Sequence, residues 1–122
     1  MEIVALHHEQ IVLREASALG ASASGTSAVF SMEKAEGFSV SSYAERGAAD
    51  TDVDVDVQAS FLEAGPFRTV AEFNLAVTAA APTDTWDAVY SATRMHYRLH
   101  WLNNSANALA AFEVGVLRKA LS

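Results

Sequence analysis

Residues 52–61 of the chain read Asp-Val-Asp-Val-Asp-Val-Gln-Ala-Ser-Phe, so that polar and apolar side chains alternate without interruption. Successive side chains of a β-strand point to opposite faces of the sheet, whereas on a helix this spacing would scatter the aspartates around every face. The stretch is therefore predicted to be a half-buried strand. Its inward side is expected to carry Val53, Val55, Val57, Ala59 and Phe61.

The same alternation returns in three further stretches, residues 67–77, 95–101 and 110–116. A shorter strand is marked by Phe38 and Val40, and Tyr43 is a candidate for its last inward residue. The inward residues of the three longer stretches are expected to be Phe67, Thr69, Ala71, Phe73, Leu75 and Val77, then Met95, Tyr97, Leu99 and Trp101, and finally Ala110, Phe112, Val114 and Val116.

Small polar residues, glycine and proline separate these strands. Residues 20–27 are expected to form a loop, and residues 63–66 (Glu-Ala-Gly-Pro) a hairpin loop. Residues 103–107 (Asn-Asn-Ser-Ala-Asn) are expected to join the last two strands as a hairpin. Residues 79–84, which contain a proline, break the chain before Trp86.

The N-terminal region admits two interpretations, because a strand over about residues 10–18 and a helix over residues 2–19 fit its apolar positions nearly equally well. A short strand is expected near residues 28–32. Seven or eight short strands at this spacing predict one all-β domain, an antiparallel β-sandwich or jelly roll with an extended N-terminal segment. The expected division places an N-terminal arm or first strand in residues 1–18 and the sandwich domain in residues 19–122.

Length and composition limit the function classes open to the chain. Its 122 residues, of which 51% are hydrophobic and 19% charged, are enough to bury the core of one domain. The absence of cysteine excludes disulfides, thiol nucleophiles and zinc–thiolate sites. The net charge of −7 gives no general attraction to nucleic acid or anionic lipid, and the apolar run 75–81 is far shorter than a membrane helix. Neither nucleic acid nor a membrane is therefore expected as a partner.

Charge is divided unevenly along the chain. Residues 1–90 hold 14 acidic and 4 basic residues, whereas residues 91–122 hold 1 acidic and 4 basic residues. The favoured interpretation is that a basic strand lies beside an acidic strand in one sheet, and the alternative is a dipolar molecule whose positive end meets a neighbour's negative surface. In the first case, cross-strand pairs would each contribute about 0.2–1 kcal/mol. The basic row consists of Arg94, His96, Arg98 and His100.

No constellation of residues points to catalysis. Aspartate stands at every second position from Asp50 to Asp56, and Asp52, Asp54 and Asp56 form the acidic row of the predicted strand. Alternate residues of one strand lie about 7 Å apart, so the row cannot enclose a cation alone. A solvated or salt-bridged sheet face is favoured, and whether the row binds a cation is left open. His7 and His8 would point to opposite faces of a strand and cannot chelate together in the usual way. Because no serine, acid pair or glycine-rich loop stands in a recognisable catalytic context, we expect no catalytic residue, no metal site, no cofactor and no enzyme activity.

Two aromatic residues, Trp86 and Tyr90, lie in a less regular stretch after Pro82. If exposed, they could form a platform for stacking on a sugar or an anchor in a protein interface. Packing beneath a loop is the more ordinary alternative for both side chains.

Several stretches follow one another in an order that resembles a known family, the auxiliary capsid proteins of tailed bacteriophages called decoration or cement proteins. The likeness covers about residues 10–118 and consists of the order and spacing of predicted strands and turns. The stretches that carry it are 24–32 (SGTSAVFSM), 36–40 (EGFSV), 53–60 (VDVDVQAS), 67–70 (FRTV), 97–105 (YRLHWLNNS) and 111–117 (AFEVGVL).

The resemblance implies a small β-sandwich or jelly-roll protein without catalytic residues. Such a protein would bind the outside of an assembled major-capsid lattice, commonly as a trimer, and reinforce the shell. Its expected partners are the major capsid protein and copies of itself, and its expected place is the capsid exterior of a virion assembled in the host cytoplasm. Similar sandwiches occur in phage fibres, baseplates and head–tail adaptors, so recognition of a host glycan or of another virion protein is the alternative.

The N-terminal segment 2–13 carries more apolar side chains than a loose arm should show. We expect it to pack on a neighbouring subunit or to pair with it by strand addition. Its deletion is expected to abolish capsid or trimer binding while leaving the sandwich folded. The candidate partner-interface residues are Ile3, Val4, Leu6, Ile11, Leu13, Trp86, Tyr90, Arg94 and Arg98.

Overall fold

Two antiparallel β-sheets face each other in the computed structural model, and their strands account for most of the described chain. No helix among the described residues has the length and apolar character needed to cross a membrane. The backbone is described for residues 7–17, 19–33, 35–91 and 94–121, and side chains are described within these ranges except at 7–17, 120 and 121.

The order of strands in the two sheets is that of a jelly roll. One sheet (sheet A) has the order β1-β9-β4-β7, and the other (sheet B) has the order β2-β8-β5-β6, with β3 also paired to β8. If β2 and β3 count as one interrupted strand, the eight strands lie in the orders 1-8-3-6 and 2-7-4-5, and the predicted fold class is confirmed. The strands are β1 (His7–Ser17), β2 (Ser24–Thr26), β3 (Phe30–Ser31), β4 (Ala35–Arg46), β5 (Thr51–Ser60), β6 (Arg68–Val77), β7 (Thr83–Ser91), β8 (His96–Asn103) and β9 (Leu109–Leu121).

The aspartate strand β5 lies at the centre of sheet B, between β8 and β6. Its valines Val53, Val55 and Val57 are completely buried, and the aspartates between them lie on the outer face. Branched side chains suit such a position because they pack well on a pleated, half-buried surface. The strict alternation in the sequence is thus explained by one apolar and one polar face.

The core between the sheets holds aromatic clusters toward both ends of the sandwich. Phe38 contacts the rings of Phe30 and Tyr97, with centroid distances of 5.4 and 4.7 Å. Trp101 and Phe112 pack against each other with a centroid distance of 5.8 Å. These rings belong to strands of both sheets, so each pair packs sheet A against sheet B.

One end of the sandwich, called here the asparagine end, is closed by a buried polar side chain, that of Asn103. Its amide nitrogen donates to the backbone oxygens of Gly20 and Asn107, each at 2.9 Å. Its oxygen accepts hydrogen bonds from the Thr51 hydroxyl at 2.8 Å and from the Ser105 amide at 3.0 Å. Two loops and the start of β5 are therefore joined through one side chain whose hydrogen-bonding groups are all satisfied.

Several predicted faces and boundaries are wrong at the ends of strands. Phe61 and Met95 are exposed, because β5 ends at Ser60 and β8 begins at His96. Neither residue is therefore part of a paired strand. Ala110 is exposed and Leu109 is buried in its place, since a register shift between β9 and β4 changes the alternation there.

A second irregularity explains the start of β6. Thr69 pairs with Gln58 on the outer face, and the register shifts between Val57 and Gln58. Val70 is therefore the residue of a β-bulge that has no partner on β5. The predicted inward row is therefore confirmed for Phe73, Leu75 and Val77. It is wrong for Thr69, which is exposed, while Phe67 precedes the strand and is half-buried.

Strand β4 is longer than the short strand that was predicted, with 12 residues from Ala35 to Arg46. Tyr43 is half-buried on the outer face, whereas its neighbours Ser42 and Ala44 face the core. The hydroxyl of Ser42 is satisfied there by donating to the backbone oxygen of Trp86 at 3.1 Å. The period-two pattern expects an apolar residue at each inward position. Because the inward position 42 is a serine, the pattern predicts a strand that is too short.

The connections differ from the predictions in three places. Residues 103–107 do not form a hairpin, because β8 belongs to sheet B and β9 to sheet A. Residues 20–27 contain strand β2, and the helix considered for residues 2–19 is wrong over residues 7–17, which form β1. The hairpin loop at 63–66 is confirmed, since β5 and β6 pair directly.

Candidate functional site

The end of the sandwich opposite Asn103, called here the apolar end, exposes large apolar side chains. The loop between β5 and β6 presents Phe61 and Leu62, which are 68% and 65% exposed. The loop before β8 brings Arg94 beside them, with its guanidinium carbon 4.9 Å from the centre of the Phe61 ring. We refer to Phe61, Leu62, Pro66, Arg68 and Arg94 as the apolar-end surface.

A shallow cleft of about 290 Å³ lies in the apolar-end surface, lined by all five of its residues together with Ala59, Ser60 and Gly65. The hairpin that forms it is held by Ser60, whose hydroxyl accepts a hydrogen bond from the Leu62 amide at 3.1 Å. Gly65 is required at the turn because its φ is +89°, a conformation that residues with a Cβ rarely adopt. The cleft is thus formed by a defined turn that keeps its apolar residues in water.

The apolar-end surface has a composition that is common in protein-binding patches. Contiguous exposed apolar groups mark interaction sites, and aromatic residues and arginine are the types enriched there. Among the described residues that line the cleft, Ser60 carries the hydroxyl group, and neither a histidine nor a carboxylate stands beside it as a general base. The described lining therefore offers apolar area and two guanidinium groups to whatever covers it.

The acidic row lies on the outer face of sheet B, where Glu72 of β6 joins the three aspartates and pairs in register with Asp56. Asn74 donates to Asp52 at 2.9 Å and to Asp54 at 2.8 Å, so amide groups separate these two carboxylates. Among the described residues, no group of three or more acidic or histidine side chains is arranged so that it could hold a metal ion. Within that part of the chain, the row is a hydrogen-bonded, solvated sheet face.

Asp56 raises the pKa of Glu72 above its ordinary value of 4.5, first through a hydrogen bond between the two carboxyls and then through charge repulsion. The folded protein therefore binds the Glu72 proton more tightly than the unfolded chain does. Its stabilising contribution is complete below pH 4.5 and is lost as the pH rises through the raised pKa.

Replacing Glu72 with glutamine (E72Q) is expected to raise the melting temperature at pH 7, because the amide can still donate to Asp56 and carries no charge. The gain should shrink as the pH falls toward 4.5, where the wild-type side chain takes up its proton. Thermal unfolding followed by circular dichroism between pH 4 and 7 measures the difference. The matched variant E63Q removes the same charge from an exposed loop, and an equal gain from it would contradict the explanation.

The basic strand β8 lies directly beside the aspartate strand β5, as the favoured interpretation of the charge pattern predicted. His100 is in register with Asp56, and Arg98 is in register with Gln58. Arg98 donates from Nε to the Gln58 side chain at 2.7 Å and lies 4.3 Å over the Phe67 ring. Arg98 is thus anchored within sheet B, whereas Arg94 belongs to the apolar-end surface in the loop before β8.

The structure places Trp86 and Tyr90 on the regular edge strand β7, so the predicted irregular stretch is wrong. Both point toward the open side of the sandwich, where Trp86 stacks on Phe73 of sheet B with a centroid distance of 5.3 Å and an interplanar angle of 8°. Tyr90 packs on Phe38 at 5.5 Å. Burial raises the pKa of Tyr90, and a hydrogen bond with Trp86 opposes that shift. Trp86 therefore closes one side of the sandwich, while 44% of its surface remains exposed.

Truncating Trp86 to alanine (W86A) is expected to lower the free energy of unfolding by about 1–3 kcal/mol, less than for a fully buried tryptophan because of its exposure. The variant W86F keeps a ring on Phe73 and should lose clearly less. Urea denaturation measures both differences. If W86A is as stable as the wild type, the stack does not contribute to closing the sandwich.

The N-terminal candidates fall into two groups. Ile3, Val4 and Leu6 lie outside the described residues. Ile11 and Leu13 lie in β1 and pair in register with residues 117 and 116 of β9. A deletion of residues 2–13 would therefore remove the first 7 of the 11 residues of β1 from sheet A, so a truncation meant to leave the sandwich folded has to end before His7.

The sequence pattern misses most of the apolar-end surface, because it places Phe61 in the core and does not mark Leu62, Pro66 or Arg68 as exposed together. One signal was present: two adjacent large apolar residues, Phe61 and Leu62, directly precede the turn-forming residues 63–66. Adjacent side chains at the end of a strand cannot both face the core, so at least one of them had to be exposed.

Comparisons with known proteins show the fold. No family model and no curated protein sequence matches the chain. Among solved structures, the PBSX exported protein XepA is similar with a TM-score of 0.66 at 14% identity, over 94% of this chain. This chain spans only 37% of the length of XepA.

Two further structures share the architecture. The Yersinia pseudotuberculosis-derived mitogen has a TM-score of 0.53 at 8% identity, over 94% of this chain and 88% of its own. A family 35 carbohydrate-binding module from an environmental isolate has a TM-score of 0.50 at 12% identity, over 84% of this chain and 74% of its own. An exported protein, a mitogen and a carbohydrate-binding module share this fold, so the fold alone does not indicate a function. The function has to be argued from the surface of this chain.

Proposed function

We propose that this protein is a structural component of a tailed-phage virion, a decoration or cement protein that binds the outside of the major capsid lattice and bridges its subunits. The observation that carries the proposal is the apolar-end surface, where exposed Phe61 and Leu62 lie beside arginine on an otherwise well-packed jelly roll. The strand-and-turn resemblance to decoration proteins and the jelly-roll topology, which viral capsid domains also use, support the same function.

The proposed mechanism is reinforcement by many weak contacts. A rigid body that touches two neighbouring capsid subunits adds its binding energy to their contact, and the symmetry of the shell repeats that contribution at every site. Self-association as a homotrimer would engage several subunits at once. In this proposal the protein catalyses no reaction, needs no cofactor, binds neither nucleic acid nor membrane, and joins the capsid exterior during assembly in the host cytoplasm.

Adding the purified protein to capsid shells of the phage that encodes it is expected to place density on the outer surface of the shell in electron cryomicroscopy. Decorated shells should also resist heating at temperatures that open bare shells. Density at the neck or tail, or no bound protein at all, would contradict the proposal.

A truncation of residues 2–6, which leaves β1 complete, tests the interface role of the N-terminal segment in the same experiment. We expect the truncated protein to fold as the wild type does and to lose binding. Normal decoration by this variant would show that the segment is not part of the interface.

A second candidate function is a fibre, baseplate or head–tail adaptor component that recognises a host glycan or another virion protein. The observation that favours it is Trp86, which keeps 44% of its surface exposed although one ring face stacks on Phe73. A glycan array with the wild-type protein separates the two candidates, because a decoration protein should bind no glycan. Reproducible binding that W86F preserves and W86A abolishes would favour the second candidate.

A further inference from the structure

The apolar-end surface combines exposed apolar groups with positive charge. Arg68 is exposed at the first position of β6, and Arg94 lies over the ring of Phe61 on the other side of the cleft. A partner for this surface has to present negative charge and a face broad enough to cover Phe61 and Leu62.

The same chain presents such a face on the outside of sheet B. The acidic row of Asp52, Asp54, Asp56 and Glu72 extends along β5 and β6. Among the described side chains, the ion pairs join Arg46 to Asp50 at 3.0 Å and Lys119 to Glu36 at 3.4 Å, and neither involves the row. Within that part of the structure, the carboxylates of the row receive hydrogen bonds from amide groups and no salt bridge from lysine or arginine.

Charge repulsion acts within the row, because it contributes, after a hydrogen bond between the two carboxyls, to the raised pKa of Glu72 beside Asp56. Glu72 and Asp56 face each other across β5 and β6, and Oδ1 of Asp56 is buried and makes no hydrogen bond among the described residues. A positive group from outside the molecule would reduce this repulsion, because it adds the opposite charge that the row lacks.

We propose that copies of this chain associate through an end-to-face contact, in which the apolar-end surface of one copy docks on the acidic row of the next. Phe61 and Leu62 supply the apolar area, and Arg68 and Arg94 meet the carboxylates. The inference rests on the self-association proposed above and adds the two surfaces that meet.

The two surfaces of such a contact are different, so the contact is heterologous and either closes a ring or continues as a chain of copies. Each copy carries both surfaces. In a closed ring of three copies, every apolar-end surface would dock on the acidic row of the neighbouring copy.

Charge reversal tests the contact in solution by sedimentation velocity with the full chain. Reversing the cationic side (R68E/R94E) or the acidic side (D54K/E72K) is expected to weaken self-association about tenfold or more. The variant that carries all four changes restores opposite charges across the contact and should recover association. Raising the salt from about 50 to 500 mM should weaken wild-type association, since screening reduces charge pairing.

Matched controls separate the contact from unfolding and from general charge effects. Thermal melts confirm that each variant is folded, and D87K makes the same kind of change on the outer edge of sheet A and should leave association unchanged. The double change F61S/L62S removes apolar area from loop residues and should also weaken association.

The outcomes are distinct. If the wild-type protein is a monomer at about 100 µM, both the proposed trimer and this contact are wrong. If the wild type associates and the two reversals associate equally well, or if the four-change variant does not recover, the end-to-face contact alone is wrong. Binding to capsid shells is measured separately, so failure of the decoration function is not confused with either result.

Discussion

The variant Asn103→Asp is expected to lose about 3–5 kcal/mol of the free energy of unfolding at pH 7, and to unfold wholly or in part at 37 °C. Asn103 is completely buried, and its amide donates to the carbonyl oxygens of Gly20 and Asn107. A carboxylate at this position would direct negative charge at both oxygens and would be buried without a counter-charge. Urea denaturation of the purified variant measures the loss.

The pH dependence of this variant gives a second readout. The introduced carboxyl should have a raised pKa in the folded state, so the folded variant takes up a proton as the pH falls and part of the lost stability returns. The wild-type protein has no carboxyl at this position and should not show that recovery.

Two controls bracket the effect of Asn103→Asp. The change Asn107→Asp makes the same chemical replacement at an exposed position of the same loop and should cost less than about 1 kcal/mol. The change Thr51→Val removes one donor to Asn103 and should cost about 1 kcal/mol. If Asn103→Asp is no more destabilising than Asn107→Asp, the buried asparagine does not hold the two loops and the start of β5 together.

Truncating Phe38 to alanine is the second change with a large expected effect, a loss of about 3–5 kcal/mol. Phe38 is 1% exposed and contacts the rings of Phe30, Tyr97 and Tyr90. Its removal would leave a cavity where β4 of sheet A meets sheet B, and the surrounding rings cannot all collapse into it.

The matched control for F38A is F61A, which removes the same side chain from an exposed position. F61A should change stability by no more than about 0.5 kcal/mol. Guanidinium denaturation of both variants compares a phenylalanine assigned to the core with one assigned to the apolar-end surface. Equal losses would mean that Phe61 is buried in solution and that the apolar-end surface does not exist as described.

The effect of F38A should reach the apolar end. Tyr97, which packs on Phe38, accepts a hydrogen bond through its hydroxyl from the Arg94 amide at 3.1 Å. Amide hydrogen exchange at Arg94 should be faster in F38A than in F61A. That result would show that the aromatic cluster supports the loop that carries this arginine.

Period-two alternation predicted the strands and most of their buried faces, because side-chain direction along a strand is a local property of the chain. The completely buried valines of β5 and the inward residues Leu99, Trp101, Phe112 and Val114 follow from it. The basic strand was expected beside the aspartate strand, and β8 pairs with β5.

The apolar-end surface could not be predicted in the same way. Phe61 continues the alternation of β5 in sequence, but the ladder stops one residue earlier, and only the folded turn at Gly65 shows that the side chain stays in solvent. Arg94 and Phe61 are brought together by the tertiary structure across more than thirty positions of sequence.

By itself the sequence determined that the chain is an all-β sandwich with one polar and one apolar face per strand, because alternation is set residue by residue. The tertiary structure alone decided which strands pair, that β8 and β9 lie in different sheets, and that Asn103 joins the loop before β2 to the loop after β8. It also decided where register shifts expose Ala110 and Thr69. The physical reason is that strand pairing and loop closure depend on contacts between residues far apart in the chain, which no local pattern specifies.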